Sequence, residues 1–193
     1  MVKLFSKPIN HFIKNLEVLK EFDKNENNKL IDSFINCIIN TKYENSKVFI
    51  YGVGRSGFVG RAFAMRLMHL GFNVCFVGDT TCPSIENNDL LIVISGSGET
   101  FSIVNMLKKI KELKTNKNYS GLKTISITCK NENSVKKLSD INIPLPLHTD
   151  ECFPMGTLFE NIAFIFLDII VYLLMKKLNI SESEMKKRHC NLQ

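Results

Sequence analysis

Residues 47–71, KVFIYGVGRSGFVGRAFAMRLMHLG, change their apolar period partway along, and that change decides the fold. KVFIYG is an apolar run of strand length that ends in glycine. SGFVGRAFAMRLMHLG predicts a helix, with Ser56 as its N-cap and Gly71 as its stop. The same unit recurs downstream. NVCFVG (73–78) predicts a strand, and DLLIVIS (89–95) is a second continuous apolar run. SGSGET (95–100) follows it as a polar turn, then a helix from about Phe101 to Leu113. KTISITC (123–129) predicts a strand, SVKKLS (134–139) a short helical piece and INIPL (141–145) a final strand. Short apolar strands alternating with helices predict an α/β domain with a buried parallel sheet. Ligands of such sheets bind beyond the carboxyl ends of the strands, at the topological switch point. Both glycine-serine segments fall at strand ends of this kind.

Upstream, two helical patterns precede the first strand. Ile9, Phe12, Ile13, Leu16 and Leu19 recur at three- and four-residue spacing, and so do Leu30, Ile31, Phe34, Ile35, Ile38 and Ile39. DKNENNK (23–29) between them reads as a polar turn. Downstream, a long apolar helix is expected from about Thr157 to Lys177. Its most apolar stretch, Ile162–Met175, contains Asp168 and falls short of the roughly 20 residues a membrane span needs, so it predicts a buried helix. SESEMKKRH (181–189) closes the chain as a charged segment opening on the capping-box pattern Ser181-x-x-Glu184. The expected organisation is a single domain over 1–193: an N-terminal helical segment (1–45), an α/β core (46–178) and a C-terminal tail (179–193).

Composition narrows the class. Apolar residues make up 45% and charged residues 23% of 193, an ordinary globular balance. A chain of this length buries about 70% of its unfolded surface and needs no disulfide or metal staple. The net charge of +6 comes from lysines scattered along the chain, not from the clustered stripe of a nucleic-acid binder. The six cysteines, at 37, 75, 82, 129, 152 and 190, show no C-x-x-C or zinc spacing, and no histidine pair has metal-ligand spacing. MVKLFSKPINHF lacks the apolar core of a secretory signal. The expectation is a reduced cytoplasmic protein with no metal, nucleic-acid or membrane partner.

Four constellations carry possible chemistry. Gly52-Val53-Gly54-Arg55-Ser56-Gly57 has the outline of a dinucleotide fingerprint, but no acidic residue ends a following strand at the right distance. A hydroxyl at the helix start, Ser56, suits one phosphate better than a pyrophosphate. In Ser95-Gly96-Ser97-Gly98-Glu99-Thr100, three hydroxyls are separated by glycines that let backbone amides approach an anion. An ordinary turn with Thr100 as helix cap is the alternative. In Pro154-Met155-Gly156-Thr157-Leu158-Phe159-Glu160, Glu160 opens an apolar helix. It is either a general base in apolar surroundings or a carboxylate favoured by the helix dipole. The fourth is Lys187-Arg188-His189-Cys190, where His189 is a candidate acid/base group or a solvated residue. No G-x-S-x-G elbow supports serine hydrolysis.

Together GVGRSG and SGSGET at successive strand ends resemble the sugar isomerase (SIS) family of phosphosugar-binding domains. GVGRSGFVGRAFAMRLMHLGF, VGDTTCPS, SGSGET, PMGTLFE and KRHCNL resemble the hexuloisomerase branch of that family over nearly the whole chain, and PMGTLFE with the RHCNL ending is what narrows the resemblance to it. The resemblance implies a five-stranded parallel sheet flanked by helices, assembled as a homotetramer. It implies interconversion of D-arabino-hex-3-ulose 6-phosphate and D-fructose 6-phosphate, in formaldehyde fixation or pentose phosphate supply, with no cofactor. By motif, Ser56, Ser95, Ser97 and Thr100 would bind the phosphate, Gly54 and Arg55 would line the site, and Glu160 and His189 would be the reactive pair. Another sugar phosphate isomerase, a non-catalytic phosphosugar-binding module and a structural protein whose Ser/Gly loops are only turns are the competing readings.

Overall fold

The computed structural model describes residues 4–115, 117–129, 132–145, 147–148 and 152–192. Five strands form one parallel sheet: β1 (Lys47–Gly52), β2 (Asn73–Phe76), β3 (Leu90–Ile94), β4 (Lys123–Thr128) and β5 (Ile141–Pro144), in the order β2-β1-β3-β4-β5. Among the described residues seven α-helices surround it: α1 (Ser6–Glu17), α2 (Asn25–Tyr43), α3 (Arg55–His69), α4 (Phe101–Lys114), α5 (Ser134–Leu138), α6 (Thr157–Leu178) and α7 (Glu182–Lys187).

Alternation along the strands feeds two cores. Ile50, Ile92 and Ile94 point to the side where α2, α3 and α6 pack, meeting Phe34, Phe63, Leu67, Phe166 and Ile170. Phe49, Leu91 and Val93 point to the other side, against Ile103 and Leu107 of α4 and Val135 of α5. All five residues of β3 are buried, which is why LLIVI reads as a continuous apolar run.

The expected α/β architecture holds, and four local readings change. DKNENNK is not all turn, because α2 begins at Asn25. The preceding residues Val18–Asp23 form a 3₁₀ turn, whose Glu21 carbonyl accepts from the Asn27 side chain. The opening of α2 is polar, and its Asn27, Asn28 and Lys29 are exposed, so apolar periodicity could not reveal it. At α3, Gly54 is the N-cap and Ser56 is the second helical residue. Gly71 does end α3 at φ +82°, with Phe72 N donating to the Leu67 carbonyl.

At 22 residues, α6 is long and apolar enough to cross a membrane by length and composition, unlike the shorter stretch judged from the sequence. Half of its most apolar window is nevertheless buried against the domain, which makes it the core helix of this fold. Finally, the tail is less detached than its polarity suggests. The Ser181–Glu184 capping box forms as read, and α7 buries Met185 in the α2/α3/α6 core.

Candidate active site

Strands β1 and β3 are neighbours in register, with Gly52 opposite Ile94, but the chain leaves them in opposite directions across the sheet. This is the switch point of the fold. The loops after Gly52 and Ile94 therefore open side by side, although 42 residues separate these positions in sequence.

The SGSGET loop is shaped by its own hydroxyls. Ser95, only 2% exposed, shares a hydrogen bond with Thr100 (Oγ–Oγ1 3.0 Å) and accepts from Gly98 N at 3.2 Å. Ser97 is exposed and accepts from Glu99 N at 3.1 Å. Thr100 is the N-cap residue of α4, yet its side chain makes no capping hydrogen bond and turns to Ser95 instead. The first amides of α4 therefore keep the anion-attracting character of a helix start.

Two residues that sequence reasoning passed over hold this loop in place. Glu99 Oε1 accepts from Ser134 N at 2.8 Å, at the start of α5. Asn133, the side-chain cap of α5, lies against Gly98, where an added Cβ would stand 2.1 Å from its Cγ. Gly98 also has φ +66°, so both backbone and space demand glycine there. Asn133 continues a buried polar chain through Thr128 (3.3 Å), Asn142 (3.0 Å) and Ser126 (2.8 Å). The Asn133 cap is legible as a local motif, but its grip on Gly98 is a tertiary contact that leaves no local trace.

On the other loop, Arg55 and Ser56 stand in the first turn of α3, beside Gly54. The Arg55 side chain donates through Nε to Glu160 Oε2 in the first turn of α6. Glu160 is 13% exposed and Arg55 61%, so the carboxylate sits at the base of the cleft and the guanidinium at its mouth. Glu160 thus faces a cation as well as the apolar Phe58, Val59 and Phe164, which differs from the purely apolar setting its sequence context suggested. These residues line a hollow of about 210 Å³. A second hollow, of about 280 Å³, includes Gly96, Ser97, Cys129, Met155, Gly156 and Phe159. Glu160 and Gly156 lie one helical turn apart, joined by a 3.0 Å amide-to-carbonyl hydrogen bond, so the two hollows adjoin at the start of α6. The fold therefore gathers Gly54, Arg55, Ser56, Ser95, Ser97, Thr100 and Glu160 at one end of the sheet.

His189 is not among them. Its ring stacks on His69 at the last residue of α3, with centroids 5.2 Å apart and planes 18° apart. Arg55 begins the same 15-residue helix, whose length is roughly 22 Å. Within one chain, His189 and Glu160 are thus about a helix length apart and do not form a pair.

Similarity to known proteins agrees with this geometry. Residues 43–163 match the SIS domain model. The chain is 51% identical over 180 residues to the 3-hexulose-6-phosphate isomerase of Methanocaldococcus jannaschii, covering 92% of this chain and 93% of that one. It is 36% identical over 155 residues to the 3-hexulose-6-phosphate isomerase of Bacillus subtilis, covering 76% and 80%. A crystal structure from the Methanocaldococcus organism, for which a 3-hexulose-6-phosphate isomerase function was inferred, superposes with a TM-score of 0.86 at 47% identity, covering 97% of this chain and 99% of that one. Loops, sheet order and relatives converge, and the chain belongs to the SIS domain family, among its 3-hexulose-6-phosphate isomerase members.

Proposed function

We propose that this protein interconverts D-arabino-hex-3-ulose 6-phosphate and D-fructose 6-phosphate. The observation that carries the reading is the convergence of two hydroxyl-bearing loops with the Arg55–Glu160 pair at the switch point. Relatives named for this activity, with no large gap in coverage, support the same assignment.

The 6-phosphate is held by Ser56, Ser95, Ser97 and Thr100 with the amides at the starts of α3 and α4. Moving the carbonyl from C3 to C2 needs two proton transfers. Glu160 takes the proton from C2, the electron pair forms the C2–C3 double bond, and negative charge develops on O3. Arg55, whose guanidinium already meets Glu160, stabilises that oxyanion. Glu160 then returns its proton to C3, while the O2 proton passes to O3 and C2 becomes the carbonyl. His189 is the candidate shuttle between the two oxygens. Each acid/base group of this kind contributes about 10²–10⁴-fold. The 3-ketose cannot close a five-membered ring because its O6 is phosphorylated, so ring opening matters only for fructose 6-phosphate. The chemistry requires neither a metal nor a redox cofactor.

Because His189 lies a helix length from Glu160 of its own chain, it serves the site of a neighbouring subunit in this reading. An exposed apolar face suited to subunit contact is at hand: Phe164, Ile165, Ile169 and Tyr172 on α6, with Phe58, Met65 and Met68 on α3. A cytoplasmic homotetramer, working in formaldehyde fixation or pentose phosphate supply, is the assembly and setting that fit. The deciding assay follows fructose 6-phosphate formed from enzymatically made hexulose 6-phosphate. Turnover is expected. No turnover, with thermal stabilisation by fructose 6-phosphate retained, would leave a non-catalytic phosphosugar-binding module.

A further inference from the structure

The C-terminal end of α3 is built with more care than a helix end needs. Lys42 of α2 donates to the Leu70 carbonyl at 3.0 Å, and Arg188 donates through Nη1 to the His69 carbonyl at 3.2 Å. Two cations from remote segments therefore answer carbonyls left over at the helix end and the negative end of its dipole. The Arg188 guanidinium lies flat against Gly71, where a Cβ would stand 3.2 Å from its Cζ and Nε. Arg188 also reaches back to the Glu184 carbonyl at 3.4 Å, which ties the end of α7 to the same spot.

On this seat stands the imidazole pair. His69 is 3% exposed, whereas His189 is exposed. Capping needs only cations and carbonyls, so it does not account for a buried imidazole under an exposed one. Below the tail, Met185 is anchored in the core. Three consecutive grips, Met185 in the core, Arg188 on Gly71 and His189 on His69, thus fix the height and the plane of one outward-facing ring.

We propose that Arg188 and His69 are positioning residues that hold His189 in the orientation needed by the neighbouring subunit's active site. The inference rests on the reading of His189 given above. Neither residue touches the substrate; Arg188 sets where the tail ends, and the His69 ring sets the plane of the imidazole above it. The charged and titratable groups around the pair are Lys42 on α2, Arg66 on α3, and Glu184 and Arg188 on the tail.

Steady-state kinetics and subunit mixing with the intact chain test this. His69→Ala and Arg188→Ala are each expected to lower kcat by about tenfold or more while KM stays within about threefold. His69→Phe keeps a flat ring beneath His189 and should restore most of the lost kcat. Mixed oligomers supply a readout that mere destabilisation would not give. Arg188→Ala subunits should regain activity with Glu160→Gln subunits, whose tails are intact, but not with His189→Ala subunits. If His69→Ala fails to fold, the exposed Arg188 variant still decides. Wild-type kcat in Arg188→Ala, beside an inactive His189→Ala, would overturn the positioning role and leave the reading of His189 standing. Failure of Glu160→Gln and His189→Ala to complement each other, with subunit exchange verified, would overturn the shared-site reading beneath it.

Discussion

The two ends of α3 divide the work of this molecule. At the N-terminal end, Gly54, Arg55 and Ser56 stand beside the SGSGET loop, and Arg55 meets Glu160. That end attracts anions, because unpaired amides and the helix dipole both favour negative charge. At the C-terminal end the same helix presents carbonyls, and Lys42 and Arg188 cover them. The first end is a nearly complete pocket made by one chain. The second displays the His189 imidazole to the outside. In the proposed reading the difference separates binding from turnover: a phosphate site that each subunit builds alone, and a reaction that draws a group from the opposite end of another copy's helix.

The largest expected effect breaks the chemistry while sparing the pocket. Glu160→Gln keeps the shape of the side chain and can still meet Arg55, but it cannot take the C2 proton. Turnover should fall by at least about 10²-fold with KM little changed. Exchange of the C2 proton with deuterated solvent should vanish with it, and retained exchange would assign the base elsewhere.

Next in size is His189→Ala, at the other end. A loss of about 10²-fold in turnover is expected, with the thermal shift caused by inorganic phosphate unchanged. The substitution is cleaner than deleting the tail, which would also remove Met185 from the core. A matching loss of phosphate binding would mean that the two ends are not separable.

Much of this division could be read in the sequence, and the unreadable part has a physical cause. The strands announced themselves because both faces of the sheet are covered, so LLIVI needs no polar alternation. The two glycine-hydroxyl loops were legible because glycine and hydroxyl residues cluster where a strand meets a helix. The Ser181–Glu184 cap was legible because it is a local exchange of hydrogen bonds. By contrast, the Arg55–Glu160 pair joins residues 105 positions apart, and Arg188 reaches His69 across 119. Such contacts exist only once the helices are packed. The start of α2 was missed for another reason: its opening sequence NENNK is polar, Asn27, Asn28 and Lys29 are exposed, and periodicity reports only the residues that face a core.

A smaller effect should separate the two serines of the binding end. Ser97 is exposed and, among the described residues, its side chain holds Glu99 N, so Ser97→Ala should cost about 1.5–3 kcal/mol of phosphate affinity and little stability. Ser95 supports both Gly98 N and Thr100, so Ser95→Ala should weaken binding and also lower the melting temperature. Titration with fructose 6-phosphate alongside thermal denaturation would separate them. Equal melting temperatures would show that the loop does not depend on the Ser95 hydroxyl.

The smallest expected effect concerns protons at the far end of α3. Burial, then the facing His189 ring and Arg66, hold His69 below its ordinary pKa of 6.5. Lys42 and Arg188 add positive charge nearby, and Glu184 sets a negative charge beside Lys42. Folded His69 therefore binds a proton less readily than the unfolded chain does. Its contribution to stability is complete above about pH 6.5 and is lost as the pH falls toward the depressed folded value. Protonation would put a cation beneath His189 and beside Arg66, so the tail should be the first part to loosen. Thermal unfolding of the wild type should thus decline more steeply between pH 7.5 and about pH 5 than that of His69→Phe, which has no proton to gain. Tail cleavage by a protease should rise over the same interval in the wild type alone. Parallel pH profiles for the two proteins would mean that the ring pair stays docked whatever its charge, and that the outward end of α3 is as fixed as the inward one.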